Sequence, residues 1–251
     1  LMLVTKGIDA ITDPIMGFLA DQTRTKQGRY RPYLIYGAPV LGALIYLLFS
    51  APELSSTMKV VFIYVVYILY SLAFTVVGVP FTSLVPVLAK DSTERTMVVS
   101  WKNVMIQVGR FFITTFALPL VEVFGGGATG WGRFGALVGV LITLCFWCVA
   151  WGLKPYDTID LKIERPKVNL LKETQLITKN KPLLMLMSAF GTDMIANSAL
   201  LAVNMYYFKY VLGRVDLVPI TSVALTVTGV LSNLAIPFLT KKVGKKRLYW
   251  Y

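Results

Sequence analysis

Three stretches of this chain, 33–51, 60–89 and 135–153, are near-continuously apolar. Each reaches the roughly 20 residues that a helix needs to cross a bilayer. Inside hydrocarbon every backbone N–H and C=O must be satisfied by the chain itself, so these stretches are confined to helix. Composition agrees. Of 251 residues 56% are hydrophobic and 15% charged, too little charge to cover a soluble domain of this length. The pattern predicts an all-α membrane protein with spans at 1–22, 33–51, 58–89, 97–124, 132–153, 183–210 and 217–239, and an eighth opening at 248. No signal-peptide pattern opens the chain. Both ends fall inside apolar segments, so the sequence is expected to be a piece of a longer protein.

The basic residues then fix an orientation. The connections fall into two alternating sets. One set includes Arg24, Lys26, Arg29 and Arg31, then Lys90 and Arg95, the lysine-rich segment 154–181, and the cluster at 241–247. It holds eighteen basic residues, against three (Lys59, Arg133, Arg214) in the other set. That asymmetry predicts that the first set is cytoplasmic. The net charge of +12 is therefore a topology signal. Nucleic-acid binding is not expected, because these charges sit in short hairpins between apolar spans.

Several chemistries are excluded. The chain has no histidine, so a Ser-His-Asp or Cys-His set is impossible and a zinc site is not expected. Cys145 and Cys148 form a CxxC inside an apolar span, where two inert thiols are the expected reading. Gly125-Gly126-Gly127 is expected to be a turn in an external hairpin, away from any helix N-terminus, and not a phosphate cradle. Nothing predicts an enzyme or a cofactor.

The informative residues are the polar ones within the spans, since hydrocarbon tolerates them only beside a partner or a cavity. At 100° per residue, Lys6, Asp9, Asp13 and Gly17 share one face of the first span. Ser71, Thr75, Gly78 and Thr82 share a face of the third. Asn103, Gln107, Arg110 and Thr114 align on the fourth, and the sixth carries Asp193, Asn197 and Asn204. At about 1.5 Å per residue, Asp9, Thr75, Arg110 and Asp193 each lie about 17–21 Å from the cytoplasmic end of their span. That is near the middle of a core about 30 Å thick, where secondary transporters place their sites. Asp9 and Asp13, one turn apart, repel each other. The arrangement makes sense if a cation or proton sits between them part of the time.

The block 9–17, Asp-Ala-Ile-Thr-Asp-Pro-Ile-Met-Gly, followed by Asp21, Thr23-Arg24, Gly28-Arg29 and Arg31-Pro32, resembles the signature of the glycoside-pentoside-hexuronide:cation symporters. The run 79–86 and the run 206–213 extend the resemblance, which covers essentially the whole chain. It implies a twelve-helix major facilitator fold, of which this chain would hold about seven complete helices. Residues 1–153 would be most of the N-terminal half, 154–182 a cytoplasmic bridge with a short interfacial helix near 168–177, and 183–251 the start of the C-terminal half. The turn 28–31 is echoed at 244–247, as expected of two repeated halves.

The resemblance also implies roles. Asp9, Thr12, Asp13 and Thr75 match the family's cation site, with Asp9, Asp13 and Thr75 as transient ligands of Na⁺. The coupling ion is expected to be Na⁺ or H⁺. Solute contacts are expected from Lys6, Gly78, Thr82, Asn103, Gln107, Arg110, Asp193 and Asn197. The family's sugar-binding aspartate, tryptophan and arginine are replaced by Gly78, Thr82 and Asn103, so a galactoside is not the expected solute. Arg110 must find an anion, on the solute or at Asp193. The implied activity is cation-coupled uptake of a sugar, glycoside or related polar solute across the cell (inner) membrane by a multi-pass protein embedded in lipid. The rival is transport of a lysolipid or other amphipathic solute on the same fold.

Overall fold

The computed structural model describes residues 2–50, 52, 54–89, 91–157, 178–214 and 217–244, and among these the regular structure is helical. The helices are α1 (Met2–Gln22), α2 (Arg31–Phe49), α3 (Ser56–Thr82), the single turn α4 (Val85–Leu88), α5 (Ser92–Val123), α6 (Gly127–Gly152), α7 (Lys181–Tyr206) and α8 (Leu217–Val243). A π turn, Tyr207–Val211, follows α7. The bridge segment near 168–177 and the span expected at 248 lie outside the described residues.

Local chemistry explains the boundaries. α2 begins at Arg31-Pro32, where a proline costs nothing because its missing N–H would be unpaired anyway. α5 begins at Asp91, whose carboxylate accepts from the Thr93 N–H at 2.9 Å, with Glu94 in the first turn. The expected span 58–89 is broken at residues 83–84 into α3 and α4. Pro86 cannot donate to the carbonyl of Thr82, and its ring crowds the preceding turn. α6 starts at Gly127 and not at 132, so the glycine triplet lies at a helix N-terminus, contrary to expectation. Its three glycines have φ of +107°, +64° and +52°, which side-chain-bearing residues rarely adopt.

Among the described residues six helical stretches are long and apolar enough to cross a membrane: Arg31–Phe49, Ser56–Leu88, Ser92–Val123, Gly127–Gly152, Lys181–Leu200 and Val223–Val243. α1 is long enough but not apolar enough, because Lys6, Asp9, Asp13 and Asp21 interrupt it. Many large apolar side chains stay exposed, among them Val61, Ile63, Phe112, Leu141 and Trp147. That is the outer surface of helices whose solvent is hydrocarbon.

The chain divides into two compact units, Leu1–Lys162 with Ser232–Tyr251, and Ile163–Leu231. In the first, α2 packs against α6 and α3, and α3 against α1. The core gathers Met16 and Ala20 of α1, Leu34, Leu41 and Ile45 of α2, Val77 of α3 and Ala150 of α6. α2 and α6 approach at Gly42 and Gly139, where a Cβ on Gly42 would lie 2.5 Å from the Gly139 carbonyl oxygen. Thr143 Oγ1 donates to Gly139 O (2.8 Å) and Ala38 O (3.2 Å), and Trp147 Nε1 donates to Ile35 O (3.0 Å). Small residues let the backbones close, and side-chain donors reach across the gap.

Candidate cation and solute site on helices α1, α3 and α5

α1 and α3 meet along a polar seam. Ser71 Oγ donates to Asp9 Oδ1 at 2.5 Å, and Thr75 Oγ1 donates to Asp13 Oδ1 at 2.8 Å. Both pairs are separated by 62 residues, so the helices run parallel and in register, acid to hydroxyl, over two successive turns. Thr75 is buried, Asp9 half-buried and Asp13 exposed. A hydroxyl has one hydrogen and two lone pairs, so Ser71 and Thr75 keep accepting capacity after donating to the acids.

The two carboxylates have different surroundings. Lys6 Nζ lies 3.2 Å from Asp9 Oδ2, one turn earlier on α1. Asp13 has no basic side chain within ion-pair distance among the described residues. Thr12, expected to offer an oxygen, turns its hydroxyl hydrogen back to the Ile8 carbonyl at 3.1 Å, which leaves its lone pairs directed outward. Among the described residues no group of three or more His, Cys, Asp or Glu side chains is gathered as a metal would need. The seam offers oxygens only, two of them anionic, and that donor set suits a hard cation.

The expected solute residues are spread over α1, α3, α5 and α7. Gly78 and Thr82 continue the α3 face below Thr75. A Cβ on Gly78 would meet only Phe74, at an ordinary 3.6 Å, so packing does not demand a glycine there. The Thr82 hydroxyl donates to the Val79 carbonyl at 2.9 Å. On α5, Asn103 and Gln107 are half-buried and Arg110 is exposed. Asn103 Nδ2 donates to Asn233 Oδ1 on α8 at 3.2 Å, beside a cavity of about 300 Å³ that Ser100 also lines. Asn233 was not singled out from the sequence, although an asparagine in an apolar span is a readable signal. Asp193 is exposed on α7, and Asn197 follows one turn later on the same helix. The thiols of Cys145 and Cys148 are free and exposed on α6.

Sequence reasoning also missed an anchor at the basic hairpin between α1 and α2. Asp157, beyond the end of α6, is 5% exposed. Its carboxylate accepts from the backbone N–H groups of Arg29 (3.0 Å), Tyr30 (2.8 Å) and Arg31 (3.0 Å). Gly28, at φ +109°, leaves room for it: a Cβ there would come within 2.6 Å of Asp157 Oδ2. Arg29 pairs with Asp21 at 2.7 Å, and the Tyr30 hydroxyl donates to the same carboxylate at 2.8 Å. Burial, then the bond to Asp21, pushes the Tyr30 hydroxyl up to about 12. The signal was an acid immediately following an apolar span.

Comparison with known proteins follows the same line. Residues 1–251 match the family model described as MFS/sugar transport protein. The inner membrane symporter YicJ of Escherichia coli strain K12 is 30% identical over 259 residues, covering 100% of this chain and 54% of that protein. The isoprimeverose transporter of Lactiplantibacillus pentosus is 30% identical over 98% of this chain and 52% of its own length. The lactose permease of Lactobacillus helveticus is 26% identical over 99% and 40% respectively. The chain thus spans about half the length of the curated relatives it matches. With its apolar helices, this makes it part of a multi-pass cell-membrane protein. The chain belongs to the sugar-transport family of the major facilitator superfamily, with the glycoside:cation symporters as its relatives.

Proposed function

We propose that the protein containing this chain is a secondary symporter that couples uptake of a sugar or glycoside to entry of a cation, and that the α1–α3 seam is its coupling site. The observation that carries the reading is the double acid–hydroxyl register, Asp9 with Ser71 and Asp13 with Thr75. Two carboxylates one turn apart repel and are costly in a membrane, and a bound Na⁺ or H⁺ offsets both penalties. Thr12 lies between them on α1 and adds an oxygen. The ion is cargo: it enters with the solute and leaves on the other side.

Below the cation, Thr82, Asn103 and Gln107 are proposed to meet the solute by hydrogen bonds and Gly78 to border it by shape alone, with Lys6 above them. Arg110, which stays charged, is proposed to meet an acidic group where the solute carries one. Asp193 and Asn197 are proposed as solute contacts from α7 in the complete protein. Residues 1–153 and 183–251 are proposed to belong to two helical halves joined by a cytoplasmic bridge at 154–182, with the hairpin 22–32 cytoplasmic and 125–132 external. Gly78 offers no acceptor where a sugar hydroxyl would need one, so galactosides are expected to be poor solutes.

The test is uptake by the full-length protein in proteoliposomes under imposed Na⁺ or H⁺ gradients, with isoprimeverose, lactose and a lysolipid as solutes. Gradient-driven accumulation of isoprimeverose above lactose is the expected result. Accumulation of the lysolipid alone would replace the sugar reading with the amphipathic one.

A further inference from the structure

The two acids of the seam are not equivalent, and Lys6 is what separates them. Both oxygens of Asp9 are engaged, Oδ1 by the Ser71 hydroxyl at 2.5 Å and Oδ2 by the Lys6 ammonium at 3.2 Å. Asp13, one turn on, accepts from Thr75 alone among the described residues. The sum of charges on Lys6, Asp9 and Asp13 is one negative, and an arriving monovalent cation cancels it. Without Lys6 the sum would be two, with both carboxylates open to the ion.

We propose that Lys6 is a tethered competitor for the coupling cation: its ammonium occupies Asp9, so that an entering ion finds one carboxylate, Asp13, and the lysine thereby sets how tightly Na⁺ is held. This rests on the reading of the α1–α3 seam as the coupling site. The geometry suits a competitor and not a permanent lock. The Lys6 side chain is 81% exposed, whereas that of Asp9 is 18% exposed. The ammonium sits at the end of a flexible four-carbon stem with rotatable donors, so it can swing off Asp9 when another cation takes its place. The ammonium also carries the single positive charge that Na⁺ carries, so the two repel and compete for Asp9 Oδ2.

A transporter must release its ion as well as bind it. A cage of two free carboxylates and two hydroxyls holds Na⁺ more tightly than one in which a carboxylate is already paired. Occupying one carboxylate with the protein's own cation weakens the cage without removing it, and leaves Asp9 with a partner in the membrane when no ion is present.

The experiment measures ²²Na⁺ binding to the purified full-length protein in detergent, with thermal melting as the check on folding. Lys6→Gln is expected to tighten Na⁺ binding about tenfold. Lys6→Arg, which keeps the positive charge, is expected to show none of that gain. The double variant Lys6→Gln/Asp9→Asn is expected to lose it, because the gain comes through Asp9. If Lys6→Gln folds and binds Na⁺ no more tightly than the parent, or if the gain persists without the Asp9 carboxylate, the proposal is overturned. Failure of the underlying reading looks different: Asp13→Asn would then bind Na⁺ as the parent does.

Discussion

The α1–α3 and α2–α6 contacts solve the same problem in opposite ways. Both join two helices in a medium that gives no hydrophobic reward for packing. The α2–α6 contact removes side chains: Gly42 and Gly139 bring the backbones together, and Thr143 and Trp147 spend their hydrogens on the facing carbonyls. Its hydroxyl and indole donors are spent on backbone carbonyls, and neither helix carries a carboxylate. The α1–α3 contact keeps side chains and charges them. Its acids are held by hydroxyls that retain lone pairs, and one carboxylate faces outward. One contact is built to be permanent and the other to be renegotiated with an ion. Chemistry belongs where the polar atoms remain available.

The comparison can be broken most forcefully at Gly42. A leucine there would drive its Cβ against backbone at 2.5 Å, which cannot move aside as a flexible side chain could. Overpacking of this kind costs about 3 kcal/mol. Gly42→Leu should therefore lower the melting temperature of the purified full-length protein sharply, and whatever folded protein survives should keep its Na⁺ affinity. A shift in ion affinity at unchanged stability would undo the division of labour between the two contacts.

Asp157→Ala should come next. It leaves three hairpin N–H groups without their acceptor, at about 2 kcal/mol in total once water reaches some of them. Melting and protease cutting at the hairpin between α1 and α2 would register the loss. Unchanged resistance to both would mean that the anchor is dispensable.

Thr75→Val sharpens the contrast from the other side. The side chain keeps its shape, so the buried position stays filled, but Asp13 loses its hydroxyl partner. Na⁺ binding should weaken about tenfold, equivalent to about 1.4 kcal/mol. The melting temperature without ion should move much less than in the glycine variant. A valine that binds Na⁺ normally would remove Thr75 from the site.

The smallest effect belongs to Tyr30. Its hydroxyl is raised from 10.0 to about 12 in the folded protein, so the unfolded chain releases this proton first. The stability tied to the neutral hydroxyl is fully present below pH 10 and is lost as pH rises toward about 12. Melting over that window should be less alkali-sensitive in Tyr30→Phe than in the parent. Equal sensitivity would contradict the shift.

Much of this was legible in the sequence, for identifiable reasons. Helices in hydrocarbon must be long and apolar, so α2, α5, α6 and α8 announce themselves by run length. The alignment of Lys6, Asp9 and Asp13 follows from helical spacing alone. That Ser71 and Thr75 meet those acids depends on the relative height of two helices, which spacing within one helix cannot fix. The break after Thr82 was readable from Pro86 but was hidden by the apolar run through it. The start of α6 was set too late because its first turn is made of glycine, alanine and threonine, which carry little hydropathy. Asp157 escaped because its partners are backbone N–H groups more than a hundred residues away, and no side-chain pattern marks them.

The central claim, that the α1–α3 seam couples the cation to the solute, is tested most directly by gradient-driven uptake in full-length Asp13→Asn and Asp9→Asn variants that reach the membrane in normal amounts. Asp13→Asn should abolish or sharply reduce cation-driven accumulation, while the variant still allows solute to equilibrate across the membrane. If both variants accumulate solute as the parent does, with the same response to Na⁺ and H⁺, the acid pair is a structural feature and the coupling site lies elsewhere.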